Sequence, residues 1–319
     1  MIRKVATGLT AALLLALPAA GTPAGAVTLP GAGTSGADVI PLRGTASAPY
    51  DVRRSPRTGT STGTSTSTGA AEASGRGVTV WQQRGVTRAL RDSGATWFHT
   101  WTADRPSYLG RTGAAFVPML WGAGSVTDEN LRAAAEHGAW LMGFNEPDLE
   151  GQGDMTVRRA LRLWPRLEET GQHLVSPAVA YGGADEGGWL DRFMTGAARR
   201  DLRVDAVAVH WYGGDFGPRR ATRQLREYLT AVHDRYGRPV WLTEVALMRF
   251  TADGAEVPRP KVQAAFVRRA TRMLDARPWL RRYAWFSLST PTEGGTGTGL
   301  YRPARSGVRP TTAGRAYRR

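Results

Sequence analysis

Residues 204–244 read VDAVAVHWYGGDFGPRRATRQLREYLTAVHDRYGRPVWLTE, and their pattern decides the fold. The apolar run Ala206–Trp211 has strand length and ends in glycines. A helical pattern follows over Ala221–Tyr236 and stops at Gly237, the residue type that accepts the left-handed turn closing a helix. A second apolar run, Pro239–Thr243, comes directly after. Strand, helix and strand in this order form the unit that pairs its strands in parallel.

The alternation extends in both directions. Further strands are expected at Val78–Trp81, Thr96–Trp101, Ala115–Trp121, Ala139–Phe144, His173–Ala178 and Arg282–Ser287. Helices are expected at Asp128–His137 behind a capping Thr127, at Val157–Thr170 with a kink at Pro165, and at Val262–Ala276 before Pro278. Eight strands alternating with helices predict an α/β fold, the (β/α)8 TIM barrel, over residues 78–319. An open doubly wound sheet is the alternative. No G-x-G-x-x-G or P-loop follows the first strand to support it.

Two segments precede the barrel. Residues 1–26 read as a secretory signal peptide: Arg3 and Lys4, an apolar run from Leu9 to Ala20, and the small-residue site Ala24-Gly25-Ala26. The apolar run is shorter than the ~20 residues a membrane-spanning helix needs, so no stable membrane insertion is expected. Residues 27–77 are poor in large apolar side chains, and Thr58–Gly69 is TGTSTGTSTSTG. That composition predicts a disordered Ser/Thr/Gly-rich linker. The expected location is secreted, extracellular or at the cell wall, and a monomer is the default.

Composition excludes several chemistries. The 319 residues contain no Cys, which removes disulfides, thiolate metal sites and Cys nucleophiles. The formal charge is +15, carried almost wholly by arginines in scattered pairs such as Arg158-Arg159 and Arg281-Arg282. No run of five and no nucleic-acid motif accompanies them, so nucleic acid is not the expected partner. A G-x-S-x-G elbow is absent, against a serine hydrolase. No second His or carboxylate stands at ligand spacing beside a His, so neither a metal nor another cofactor is expected.

In a barrel of this kind the site lies at the C-terminal ends of the strands. The fourth strand ends in Phe144-Asn145-Glu146-Pro147-Asp148 and the seventh in Leu242-Thr243-Glu244. Alternation is compatible with both glutamates pointing inward, Glu146 together with Met142 and Phe144, Glu244 together with Val240 and Leu242. Strands four and seven face each other, so the two carboxylates, 98 positions apart in the chain, can meet over one bond. A carboxylate pair is what glycoside hydrolysis requires, one group donating a proton and the other attacking the sugar carbon or activating water. Of the 11 tryptophans, Trp81, Trp101, Trp121, Trp211 and Trp285 end strands, where an indole face can stack on a sugar ring. Trp164 and Trp241 read instead as helix-facing core. His210 and Tyr212 share a parity and can both enter the mouth. Either carboxylate could equally be the buried partner of an arginine.

Several blocks occur in order: Phe116–Gly122, Gly143–Asp148, Ser176–Val179, Trp189–Phe193, Val204–Gly213, Trp241–Glu244 and Arg282–Ser287. With the closing Thr312–Tyr317, the chain resembles the Asl1-like glycosyl hydrolase catalytic domain, glycoside hydrolase family 128. The resemblance implies a (β/α)8 barrel and a retaining endo-β-1,3-glucanase acting on a β-glucan without cofactor. It implies Glu146 as acid/base and Glu244 as nucleophile. Asn145 would then bind the hydroxyl beside the reacting carbon, Tyr212 would hold the nucleophile, His210 would line the site and Trp285 would floor it. Strand two departs from the family, with Phe98-His99-Thr100-Trp101 where members tend to carry Tyr-Asn-Trp, and strand one is atypical at Val78–Gln83. Another β-linked polysaccharide as substrate, or a glucan-binding barrel without turnover, are the competing readings.

Overall fold

The structure is a computed structural model, and it describes residues 75–290, 297–305 and 307–318. The expected signal peptide and almost all of the expected linker lie outside the described residues.

Eight parallel strands follow one another around a ring. They are β1 (Arg76–Thr79), β2 (Trp97–His99), β3 (Ala115–Phe116), β4 (Trp140–Met142), β5 (His173–Val175), β6 (Val207–Gly213), β7 (Val240–Leu247) and, eighth, β10 (Leu280–Trp285). Six form one sheet in the order β3-β2-β1-β10-β7-β6, and β4 pairs with β5. Single parallel bridges complete the circuit: Met119 to Met142 beside β3 and β4, and Val175 to Ala206 and Val179 to Val209 between β5 and β6. The hairpin β8 (Arg249–Thr251) and β9 (Gly254–Glu256) follows β7, and the hairpin β11 (Tyr301–Ala304) and β12 (Gly307–Pro310) follows the ring.

The helices cover the outside. They are α1 (Val86–Ser93), α2 (Asp128–Ala135), α3 (Val157–Glu168), α4 (Trp189–Ala198), α5 (Pro218–Tyr236), α6 (Pro260–Asp275) and α7 (Thr312–Tyr317). Their ends obey local chemistry. Thr127 and Thr156 accept the backbone N–H groups of Asn130 and Arg159 at the starts of α2 and α3. α5 begins with Pro218 and ends at Gly237, whose φ is 58°. The link between β2 and β3, residues 100–114, contains no helix, so the strand–helix alternation is interrupted once.

Two aromatic layers hold the ring. Inside it, at the N-terminal end of the strands, Trp241 packs 5.5 Å from Trp97 and 4.9 Å from Trp140, and the Arg282 guanidinium lies 4.6 Å over the Trp241 ring. Trp241 therefore plugs the interior and does not face a helix as expected. Outside, Trp164 of α3 contacts Phe144 and Phe193, as expected of a helix-facing core residue. The first strand begins at Arg76, two residues ahead of the expected boundary.

Candidate active site

β7 carries one residue more than its neighbours. Val209 of β6 pairs with Leu242 but His210 pairs with Glu244, and on the other side Tyr283 pairs with Leu242 and Trp285 with Val245. Strict alternation from the inward Trp241 would turn Glu244 outward. The extra residue, Thr243, is a β-bulge that returns Glu244 to the inner face at the C-terminal end of the ring.

Glu146 reaches the same place by another route. β4 ends at Met142, and the chain runs on until Asn145 bridges Ala178. Phe144 faces outward onto Trp164, so Phe144 and Glu146 do not share a face as expected. The change of direction occurs at Glu146 itself, whose φ of 40° lies in the left-handed region, with its N–H donating to the Ala178 carbonyl at 2.7 Å. Trp101, with φ 60°, also lies in the left-handed region. Such conformations cost about 1–3 kcal/mol each in a non-glycine residue and persist only where the surroundings impose them. Gly153 supplies part of that constraint: its N–H donates to the Asn145 carbonyl, and a Cβ there would sit 2.3 Å from the same oxygen.

The side chains converge. His210 and the two glutamates present donor atoms within 4.8 Å of one another. His210 Nδ1 lies 2.8 Å from Glu146 Oε1, and its Nε2 lies 3.7 Å from Glu244 Oε1. Glu244 is buried, and both its oxygens are engaged: Trp101 Nε1–H donates to Oε1 at 2.7 Å, and the Tyr212 hydroxyl donates to Oε2. Glu146 is the more open of the two carboxylates. Asn145 is buried beside it, its side-chain Nδ2 donating to Gln152 Oε1 at 3.1 Å while its Oδ1 has no protein partner.

The electrostatics follow from this crowding. Burial opposes a charge on His210, but Glu244, the hydrogen bond to Glu146 and the charges of Glu146 and Asp148 together hold its pKa above the usual value. Burial, then the charges of Glu244 and Glu146, push the Tyr212 phenol well above its usual range, so it remains a donor. Burial also raises the Asp148 carboxyl, against the N–H groups of Ala180 and Tyr181 that it accepts.

The cluster of Glu146, His210 and Glu244 has the donor types of a cation site, which residue spacing alone did not anticipate. Its lone pairs are largely committed to Trp101, Tyr212 and the Glu146–His210 contact, an arrangement suited to holding two carboxylates apart for proton transfer.

Not every expected residue is here. Trp101 is, stacked on Trp81 at 5.9 Å. Trp121 is half-buried at the rim, its carbonyl accepting the Asn145 N–H. Trp211 and Trp285 are on the opposite face: both rings lie against Phe266 of α6, at 5.7 and 6.1 Å. With His210 and Tyr212 inward, Trp211 must point outward, and Trp285 aligns with it through Val245. Trp285 also donates to the Thr298 carbonyl. The residue that faces the site at the end of the eighth strand is Phe286, the first after β10, 5.5 Å from both the Trp81 and Tyr212 rings. Phe250 of β8 meets Tyr212 edge-on at 5.3 Å. Tyr181 is 65% exposed, and its N–H donates to Asp148 Oδ2 at 3.2 Å. A hollow of about 470 Å³ lined by Asp148, Trp189 and Arg192 adjoins this loop. Phe286 follows a tryptophan that the sequence reading turns inward, so alternation points away from it; Phe250 and Tyr181 carry no sequence signal.

A parallel α/β ring with two opposed carboxylates and an aromatic wall at the C-terminal ends of its strands defines a glycoside hydrolase. Residues 78–317 match the family described as the glycosyl hydrolase catalytic core, and the chain belongs to that family, within its Asl1-like branch, glycoside hydrolase family 128. It is 50% identical to a subgroup I endo-β-1,3-glucanase of family 128 from Amycolatopsis mediterranei, solved with laminaritriose and laminaribiose, with a TM-score of 0.72 over 77% of this chain and 98% of that one. It is 27% identical to a subgroup II endo-β-1,3-glucanase from Sorangium cellulosum, TM-score 0.61, over 76% and 97% of the two chains. It is also 30% identical over 217 residues to the alkali-sensitive linkage protein 1 of Schizosaccharomyces pombe, covering 65% of this chain but only 37% of that protein's length.

Proposed function

We propose that this chain is a secreted, retaining, endo-acting β-1,3-glucan hydrolase whose ring of strands is a (β/α)8 barrel. The leader is residues 1–26 and the linker follows it up to the first strand. The observation that carries the mechanism is the approach of Glu146 and Glu244, with carboxylate oxygens within 4.8 Å of each other, which supports the about 5–5.5 Å spacing of retaining enzymes over the about 6.5–9.5 Å of inverting ones. Glu146, the more open carboxyl, protonates the glycosidic oxygen as the bond to the anomeric carbon breaks. Glu244 attacks that carbon and forms a glycosyl ester. Water then attacks the ester while Glu146 takes its proton, and Glu244 leaves as the carboxylate. Trp101 and Tyr212 fix both oxygens of Glu244, so the nucleophile does not rotate between steps. Identity of 50% to a β-1,3-glucanase supports the linkage. In that enzyme the two glutamates replaced for structural work stand one residue closer in its chain than Glu146 and Glu244 do here, which supports the assignment of the pair.

Product analysis on laminarin, curdlan and β-1,4-glucans, wild type beside Glu244→Gln, tests this. Oligosaccharides from the β-1,3-glucans alone, with first products of retained anomeric configuration and none from the variant, are the expected result. Laminarin bound but not cut by the wild type would replace the reading with a glucan-binding barrel.

A further inference from the structure

His99 ends β2 and is completely buried. Its Nε2 lies 3.0 Å from the carbonyl oxygen of Thr243. β2 and β7 are not neighbours in the sheet, which places β1 and β10 between them, so this bond crosses the interior of the ring. Thr243 is the bulged residue immediately before Glu244. A carbonyl only accepts, so Nε2 carries the hydrogen. The other nitrogen, Nδ1, is buried without a protein partner. The imidazole also lies edge-on to Trp101, 5.2 Å away, and Trp101 donates to Glu244. His99 thus touches both structures that aim the Glu244 carboxylate, without touching the carboxylate's hydrogen-bonded oxygens itself.

We infer that His99 is a positioning residue for Glu244: through its Nε2–H it pins the Thr243 bulge, and through its ring it braces Trp101. This rests on Glu244 acting as the nucleophile. The role requires the uncharged ring, because a proton at Nδ1 would be a buried donor with no protein acceptor. Burial lowers the His99 pKa to about 4, against the attraction of Glu244 and with the repulsion of His210, the two titratable groups that face it.

Steady-state kinetics of wild type, His99→Phe and His99→Gln on laminari-oligosaccharides test the inference, with ¹⁵N NMR of the wild-type imidazoles. Phe keeps a ring and removes the donor; the Gln amide can restore the donor. The expected result is a kcat roughly 10- to 100-fold lower for His99→Phe with KM within about twofold of wild type, as for a misplaced reacting group. His99→Gln recovers most of kcat. The NMR spectrum shows Nε2 protonated and Nδ1 bare from about pH 5 upward. Wild-type kcat in the Phe variant, a loss expressed in KM alone, or an Nδ1–H tautomer would each overturn the role. If the Phe variant shows no melting transition, the Gln variant and the tautomer still decide. A wild type that cuts no glucan would instead refute the hydrolase reading, with the tautomer still reporting on the His99–Thr243 bond.

Discussion

Glu244 depends on its two donors, and they differ in what they fix. Trp101 is held by stacking on Trp81 and by the edge of His99, whereas the Tyr212 hydroxyl is free to rotate out if its acceptor changes. A hydrogen bond to a charged group contributes about 1.5–3 kcal/mol, so Tyr212→Phe should lower kcat by roughly one to two orders of magnitude. KM should hardly move if Glu244 is the nucleophile proposed, since the phenol is hydrogen-bonded to it; initial rates on laminarihexaose check this. His99 has a second consequence, for stability. Its pKa falls from 6.5 in the unfolded chain to about 4 in the fold. Above pH 6.5 neither state binds this proton. Between 6.5 and 4 the unfolded chain takes it up and the folded one does not, so stability falls with pH, by about 3 kcal/mol in all. Below about 4 the loss is complete. His210, whose pKa is raised, contributes the opposite sign: its stabilisation is full below the unfolded value and is lost as pH rises through the folded one. Urea titrations of wild type and His99→Gln share the His210 contribution. The wild type should therefore lose about 3 kcal/mol more than the variant between pH 7 and 4, and parallel curves would refute the neutral burial of His99.

Among elements, the strands were legible and their local irregularities were not. Each of the eight apolar runs overlaps a strand, and most are buried on both faces by the ring, β3 with its exposed Ala115 being an exception; both glutamates lie at or near the expected strand ends. What failed was alternation. It assumes straight strands, and the chain breaks that assumption at Thr243 by a bulge and at Glu146 by a left-handed residue. Neither leaves a mark in composition, since any residue can bulge and Glu is not a residue that announces positive φ. Trp211 and Trp285 fall outside the site for the opposite reason: alternation holds along β6, where Trp211 stands between the inward His210 and Tyr212, and Trp285 aligns with Trp211 through Val245. Trp211→Ala should cost about 3 kcal/mol in urea unfolding, as removal of a ring packed on Phe266, and leave KM for laminarihexaose unchanged. A several-fold rise in KM at unaltered stability would return Trp211 to the substrate. The β4 loop is open to a matching test through Gly153. An alanine there must displace the Asn145 carbonyl and with it Glu146, so Gly153→Ala should lower kcat at least about tenfold. A variant with wild-type kcat would mean that the loop relaxes without moving Glu146.

At the level of the whole molecule, the two ends of the described chain close the ring together. β1 lies between β2 and β10, so the circuit is incomplete without residues 76–79. Arg76 donates to Asp275 at 2.6 Å and to the Tyr317 carbonyl at 2.8 Å, and the Tyr317 hydroxyl returns a hydrogen bond to the Gly77 carbonyl at 2.7 Å. Gly75 accepts from Trp97 Nε1 and from the Tyr283 N–H. Gly77 leaves room for the Trp97 indole, which a Cβ would meet at 2.3 Å. These contacts assign residues 75–77 to the ring and not to the segment before it. They also tie the first strand to α7, the last element, through a tyrosine that is completely buried. A chain that begins at Ser74 keeps every one of these contacts. It should melt within about 2 °C of the full-length protein, a shift smaller than ~1 kcal/mol produces in a domain of this size, with the same kcat on laminarin. A chain that begins at Val80 loses the strand, the Arg76 contacts and the partner of Tyr317, and should yield no cooperative melting transition. Equal melting of the two truncations would mean that the ring closes without β1. A large loss in the longer one would mean that residues before Ser74 pack against the ring, so the comparison decides where the folded unit begins.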